Sequence, residues 1–238
     1  VPAGQFSNST FNLRFHAMSS TTTQTMHGSA SLVMDRLKAE TRGSHDDTEG
    51  IPYSAAVVGR RLPKDRFIGQ LAAYRTIHGA LERAISQSTD PAVTAVWDAT
   101  MVKAPLLDAD LAYFGADETT APLAARAAAQ AFSDRIQDLA ESDPVALLGF
   151  LYVLEGSTLG ATILRGHLAA AYGLENDQGL AYQSPYGASP MPQWMAFKAR
   201  MNAAISDGPT QDRVVAAAQE AFRRIGDVLR ALSVGLEG

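Results

Sequence analysis

One stretch limits the possible folds more than any other. Ten apolar residues run without interruption from Val145 to Leu154, and only then does Glu155 intervene. Ser142-Asp143-Pro144 stands just before them as a helix start, with Asp143 as the expected N-cap and Pro144 at the first helical position. The helix is expected to run to about Tyr172. Ten apolar residues fall short of the roughly 18 that a membrane span needs. Such a helix suits the buried centre of a protein, where other helices must cover it.

The remaining chain supplies those helices. From about Ser31 onward alanine is frequent, β-branched runs are short, and no hairpin dipeptide separates alternating segments. Pro63 opens a segment in which Phe67, Leu71, Tyr74, His78, Leu81 and Ile85 form one apolar seam. His78 lies on that seam and is expected to be a satisfied core histidine. Further helices are expected over about 91–101, 119–140, 191–205 and 210–232, with a loop over 173–192. The pattern predicts an all-α, single-domain helical bundle over residues 31–238. Residues 1–30 differ: they are rich in Ser and Thr, and no acidic residue comes before Asp35. They are expected to form a mobile N-terminal extension, either part cloning remnant or the remnant of an organelle transit sequence. His16 and His27, which fall there, are given no catalytic role.

Composition removes whole classes of chemistry. The chain has no cysteine, which excludes disulfides, thiolate nucleophiles and Cys-ligated metals. Histidine, carboxylates and main chain must carry any metal chemistry. A net charge of −5 argues against a general nucleic-acid binder. With no expected membrane span, the expected location is the cytoplasm, or an organelle stroma if the extension is a transit remnant.

Two stretches have the makings of a site. Lys38, Arg42, His45 and Glu49 are spaced three or four apart, so they share a helix face. Two cations, an imidazole and a carboxylate there suit a flat, dianionic, metal-centred ligand, and equally describe an ordinary solvated face. In the apolar helix, Gly156 and Gly160 also share a face, each costing roughly 1 kcal/mol relative to alanine. They clear space either for a flat ligand against the backbone or for close helix packing.

The arrangement Leu37-Lys38-x-x-Thr41-Arg42-x-x-His45-x-x-x-Glu49 resembles the first helix of the heme oxygenases. The run Glu155-Gly156-Ser157-Thr158-Leu159-Gly160 resembles their distal helix, especially in the bacterial branch. The segment Asp110-Leu111-Ala112-Tyr113-Phe114-Gly115 resembles an Asp-Leu-Ala-aromatic run of the family, and also reads as a plain helix end capped by Gly115. Phe197-Lys198-Ala199-Arg200-Met201-Asn202 and Ala217-Ala218-Gln219-Glu220-Ala221-Phe222 resemble two later segments.

The resemblance implies that heme, both substrate and cofactor, is held between a proximal and a distal helix. It makes His45 the iron ligand, Glu49 its carboxylate partner, and Lys38, Arg42 and Lys198 the contacts to the propionates. Phe222 packs near the heme, and Gly156, Ser157 and Gly160 form the catalytic distal wall. The implied reaction opens the ring to biliverdin, carbon monoxide and ferrous iron, using O2 and a donor such as ferredoxin or a flavin reductase. Ser157 stands where many members carry an aspartate that organises distal water, so the route of the proton is left open. Glu155, about 100° around the helix, is not assigned that role. Two alternatives stand beside this: a non-haem di-iron oxidase using His45/Glu49, His78/Glu82 and Glu155, and a heme-binding carrier or sensor without turnover.

Overall fold

The computed structural model describes residues 31–176, 178–187 and 189–236. The extension expected over residues 1–30, with His16 and His27, lies outside them. Ten α-helices follow in order: α1 (Val33–Glu40), α2 (Arg42–Glu49), α3 (Pro52–Val58), α4 (Lys64–Gln87), α5 (Pro91–Val96), α6 (Ala104–Tyr113), α7 (Leu123–Ser142), α8 (Leu147–Tyr172), α9 (Met191–Ala204) and α10 (Gly208–Leu232). Short 3-10 turns occupy Ala99–Met101, Pro144–Ala146 and Ala181–Gln183. No strand occurs among the described residues.

The apolar helix α8 is the centre of the bundle, with α10 laid along it and α4 and α7 completing the core. Leu147, Leu148, Phe150, Leu151 and Leu154 are all buried there. By length and composition alone the stretch Pro144–Tyr172 could cross a bilayer, but half of its most apolar window is buried inside the bundle. The closest approach of α8 to α10 is at Gly149. A Cβ at that position would lie 2.3 Å from the Val214 carbonyl oxygen and 2.7 Å from the Ala218 nitrogen. Only a residue without a side chain lets these two backbones meet. The α4 seam is buried at every expected position, His78 included. Gly115 ends α6 with φ +63°, the left-handed conformation of a helix cap.

Several boundaries differ from the sequence expectation, each for a local reason. Asp143 does not cap α8. Its carboxylate takes Arg213 of α10 at 2.7 Å, and its backbone is shared between the end of α7 and the 3-10 turn that leads into α8. The helix expected over 91–101 breaks after Val96, because Asp98 turns back to accept the Thr100 N–H at 2.9 Å and starts a 3-10 turn. The helix expected from residue 119 begins only at Leu123. Pro122 disfavours helix in the residue before it, and Asp117 folds the preceding stretch onto Thr119 at 2.8 Å. The loop over 173–192 contains the Ala181–Gln183 turn.

Candidate active site

The charged stripe is interrupted once, at Thr41, where ψ opens to 0°. The Thr41 hydroxyl donates to the Leu37 carbonyl at 2.7 Å, while its own carbonyl accepts the His45 N–H at 2.9 Å. Lys38 therefore ends one helix and Arg42, His45 and Glu49 sit on the next, still along one side. No residue of α2 is buried. The helix rests on α10, with the edge of the His45 ring against Phe222 at a centroid distance of 5.9 Å.

His45 is half exposed. Glu49 lies 3.7 Å from Nε2 and Asp46 lies 3.8 Å from Nδ1, too far for hydrogen bonds. The imidazole is thus backed by an aromatic ring, flanked by carboxylates and free of hydrogen bonds. Lys38 is exposed, and Arg42 extends into solvent 4.0 Å from Asp46. Lys198 on α9 reaches Asp35 at 3.4 Å. Asp35 lies one turn before Lys38 on α1, so Lys198 is brought to the side that Lys38 occupies.

Facing this is α8. Its Tyr152 hydroxyl meets the Thr41 side chain at the corner between α1 and α2, and burial raises the Tyr152 pKa. His45 is one turn beyond Thr41, and Gly156 is one turn beyond Tyr152. Four residues of helix advance only about 6 Å. His45 and Gly156 thus each lie one turn from the contact that joins their two helices. The two glycines differ. A Cβ on Gly156 would touch the Trp194 ring at 3.5 Å, whereas one on Gly160 would meet nothing within 4 Å. Trp194 lies against Tyr152 and Phe197, with centroids at 5.8 and 5.5 Å. Ser157 is exposed on this side, its hydroxyl donating to the Leu154 carbonyl at 2.7 Å.

Behind the glycine face lies a buried polar layer that the sequence did not reveal. Glu155 is buried and faces Lys103, whose amine lies 3.2 Å from its carboxylate. The same amine donates to the Met101 carbonyl at 2.9 Å and the Tyr186 hydroxyl at 2.7 Å, and Tyr186 donates to Glu155. Burial lowers the Lys103 pKa, with Glu155 opposing, and burial raises that of Tyr186. Beside this cluster, His78 Nε2 is 3.0 Å from the Tyr182 hydroxyl and Nδ1 is 3.5 Å from Glu82. Asp110 accepts the N–H groups of Ala181 and Tyr182, both at 2.8 Å, which fixes the turn carrying Tyr182. Burial pushes the Asp110 carboxyl up, with those two amides opposing.

Asp110 was visible inside a family-like segment, though its task was not. Lys103, Tyr182 and Tyr186 lie in stretches without periodicity and gave no signal. Among the described residues, His45, Asp46 and Glu49 form the one group of three metal-ligating side chains. The His78, Glu82 and Glu155 set that a di-iron centre would need does not come together. A Lys103 amine occupies that layer instead, which is a poor neighbour for dications.

An all-α bundle that ties a helix bearing an exposed imidazole to a helix with an open glycine narrows the class, and comparison with known proteins names it. The Heme oxygenase family model matches residues 31–231. Heme oxygenase 1 of the cyanobacterium Nostoc is 23% identical over 199 residues, covering 81% of this chain and 82% of that protein. Mouse heme oxygenase 2 is 26% identical over 194 residues, covering 78% of this chain and 61% of the mouse protein. Among solved structures, Synechocystis heme oxygenase-2 in complex with heme and NO superposes with a TM-score of 0.80 at 21% identity, over 87% of each chain. Synechocystis heme oxygenase-1 in complex with heme gives 0.77 at 19%, over 87% of this chain and 94% of that one. The chain belongs to the heme oxygenase family.

Proposed function

We propose that the protein binds heme between α2 and α8 and opens the ring to biliverdin, carbon monoxide and ferrous iron. The observation that carries this is the Thr41–Tyr152 contact, which ties the corner before His45, an imidazole free of hydrogen bonds, to the helix that carries the open glycine Gly160. The residues present fit an iron porphyrin. An unengaged imidazole suits the iron, Lys38, Arg42 and Lys198 offer charge to two propionates, and Gly160 leaves bare backbone where a flat ring can approach.

Bound heme supplies both the iron at which O2 is reduced and the carbon that is oxidised, with electrons from an external donor such as ferredoxin or a flavin reductase. The chain's own contribution is holding, orienting and excluding. His45 holds one face, with Glu49 near enough to orient its ring. Lys38, Arg42 and Lys198 fix the ring's rotation through charge-assisted contacts, each worth roughly 1.5–3 kcal/mol where water is partly excluded. Gly156 and Gly160 keep side chains off the opposite face, and Trp194 borders the space over Gly156. No side chain acts as a nucleophile.

Heme titration of the wild-type chain and of His45→Ala tests this. A histidine-ligated Soret band is expected in the wild type, to be lost in the variant and restored by free imidazole. A histidine-ligated spectrum in His45→Ala without imidazole would move the ligand elsewhere. His167 on α8, whose Nδ1 has no hydrogen-bond partner, would then be the first replacement.

A further inference from the structure

Arg75, Gly79 and Arg83 are spaced four apart, so they share one face of α4 with the glycine in the middle. Both guanidiniums fold toward that glycine. A Cβ placed on Gly79 would lie 2.5 Å from Arg75 Nη1 and 3.4 Å from Arg83 Nη1. Two cations therefore meet over one bare point of helix, in a chain whose net charge is −5. Like charges so close repel each other, and two long side chains are free to spread apart. One carboxylate answers the pair: Asp108 accepts from Arg75 Nε. That hydrogen bond, with Glu118 and Glu82 adding to it against the effect of burial, raises the Arg75 pKa. Arg83 has no ion-pair partner among the described residues.

The two arginines line a surface groove of about 470 Å³ between α4 and residues 97–104. That volume falls within the range of about 300–1,000 Å³ usual for small-molecule sites. Trp97 lines the groove from outside α4. Trp194 packs against two aromatic rings, whereas Trp97 has neither a ring nor a cation against its indole among the described residues. Glu82 also lines the groove, but its carboxylate is turned to the backbone N–H groups of Lys103 at 2.7 Å and Ala104 at 3.1 Å. It leaves Arg83 unanswered.

We propose that this groove binds a small organic anion made of an oxyanion head and a flat ring. The head, a phosphate or a carboxylate, is bracketed by the Arg75 and Arg83 guanidiniums over Gly79, each offering N–H groups to its oxygens. The ring lies against the Trp97 indole, whose face suits flat groups. An anion there replaces the repulsion between two cations with two attractions, and it gives Arg83 a partner. The site does not rest on the heme reading, because none of Lys38, Arg42, His45, Gly156 or Gly160 lines the groove. Binding makes and breaks no covalent bond.

Calorimetric titration of the heme-free and heme-loaded chain with four probes tests this: adenosine monophosphate, naphthoate, adenosine and inorganic phosphate. At least one of the first two is expected to saturate with a Kd below about 1 mM. Adenosine lacks the head and inorganic phosphate lacks the ring, so each should bind at least tenfold more weakly. Saturation by adenosine monophosphate alone makes the head a phosphate, and by naphthoate alone a carboxylate. Failure of both overturns the proposal, as does inorganic phosphate binding as tightly as the better of them. Two variants then locate the probe. Arg83→Ala removes an exposed side chain without an ion-pair partner, so the fold should persist while affinity falls at least tenfold. Gly79→Leu keeps both charges but fills the point where they meet, and a folded variant should lose as much. Unchanged affinity in Arg83→Ala, or in folded Gly79→Leu, would overturn the site, because the probe would then sit elsewhere or answer only to net charge. If the wild type made no biliverdin, the heme reading would fail and these titrations would still decide the groove.

Discussion

Lys103→Met is expected to destabilise the fold by about 3–5 kcal/mol, the usual cost of leaving one partner of a buried ion pair alone. The Lys103 amine is buried, and each of its donors has a partner: Met101, Glu155 and Tyr186. Methionine matches the length of the stem but not the charge, so the Glu155 carboxylate would remain buried with the Tyr186 hydroxyl as its donor. Replacing both charges, as Lys103→Met with Glu155→Leu, is expected to recover most of the loss, since no stranded charge remains. Denaturant unfolding of the two variants decides the matter. A loss below about 1 kcal/mol in Lys103→Met, or no recovery in the pair, would show that the cluster is not a closed electrostatic unit. The same cluster explains why Glu155, though next to Gly156, is turned inward. Its charge is committed to Lys103 on the other side of α8.

Gly160→Leu should have the opposite profile, with little effect on stability and a large effect on chemistry. A Cβ at Gly160 meets nothing within 4 Å, so the leucine overpacks no neighbour. Helix propensity favours leucine over glycine by up to about 1 kcal/mol, so the variant should be at least as stable as the wild type. Heme should still bind through His45. The added side chain would occupy the space over the ring that dioxygen needs, and ring opening should fall at least a hundredfold. Stability, Soret absorbance and biliverdin yield per folded molecule measure the three parts separately. Normal turnover in a folded, heme-loaded Gly160→Leu would place the distal wall elsewhere.

These two variants also show where sequence reasoning stops. The apolar run of α8, its end at Gly173 and the α4 seam are legible because burial of one face imposes a periodic pattern on the letters. Gly156 and Gly160 were legible as bare patches, but spacing does not say what fills the space. The close packing that glycine pairs often serve belongs to Gly149, where the α10 backbone arrives. Trp194 covers Gly156, and Gly160 is open. A glycine's neighbours come from elsewhere in the chain, and one sequence does not list them. Asp143 failed similarly: its local signature is that of an N-cap, but Arg213, seventy residues away, outbids the helix amides. The polar layer was the least legible part. Lys103, Tyr182 and Tyr186 have no periodic neighbours, and the side chains they pair with lie 31 to 104 positions away. The stripe on α1 and α2 was legible because all its members are local, including the approach of Glu49 to His45.

The most direct test of the central claim is a single turnover by the wild-type chain loaded with heme, reduced under air and followed to completion. If His45 and the α8 glycines together form a ring-opening site, the Soret band will give way to biliverdin absorption, and carbon monoxide will be released in equal amount. A Soret band that persists through reduction and reoxidation, with neither product formed, would contradict it and leave a protein that holds heme without opening it.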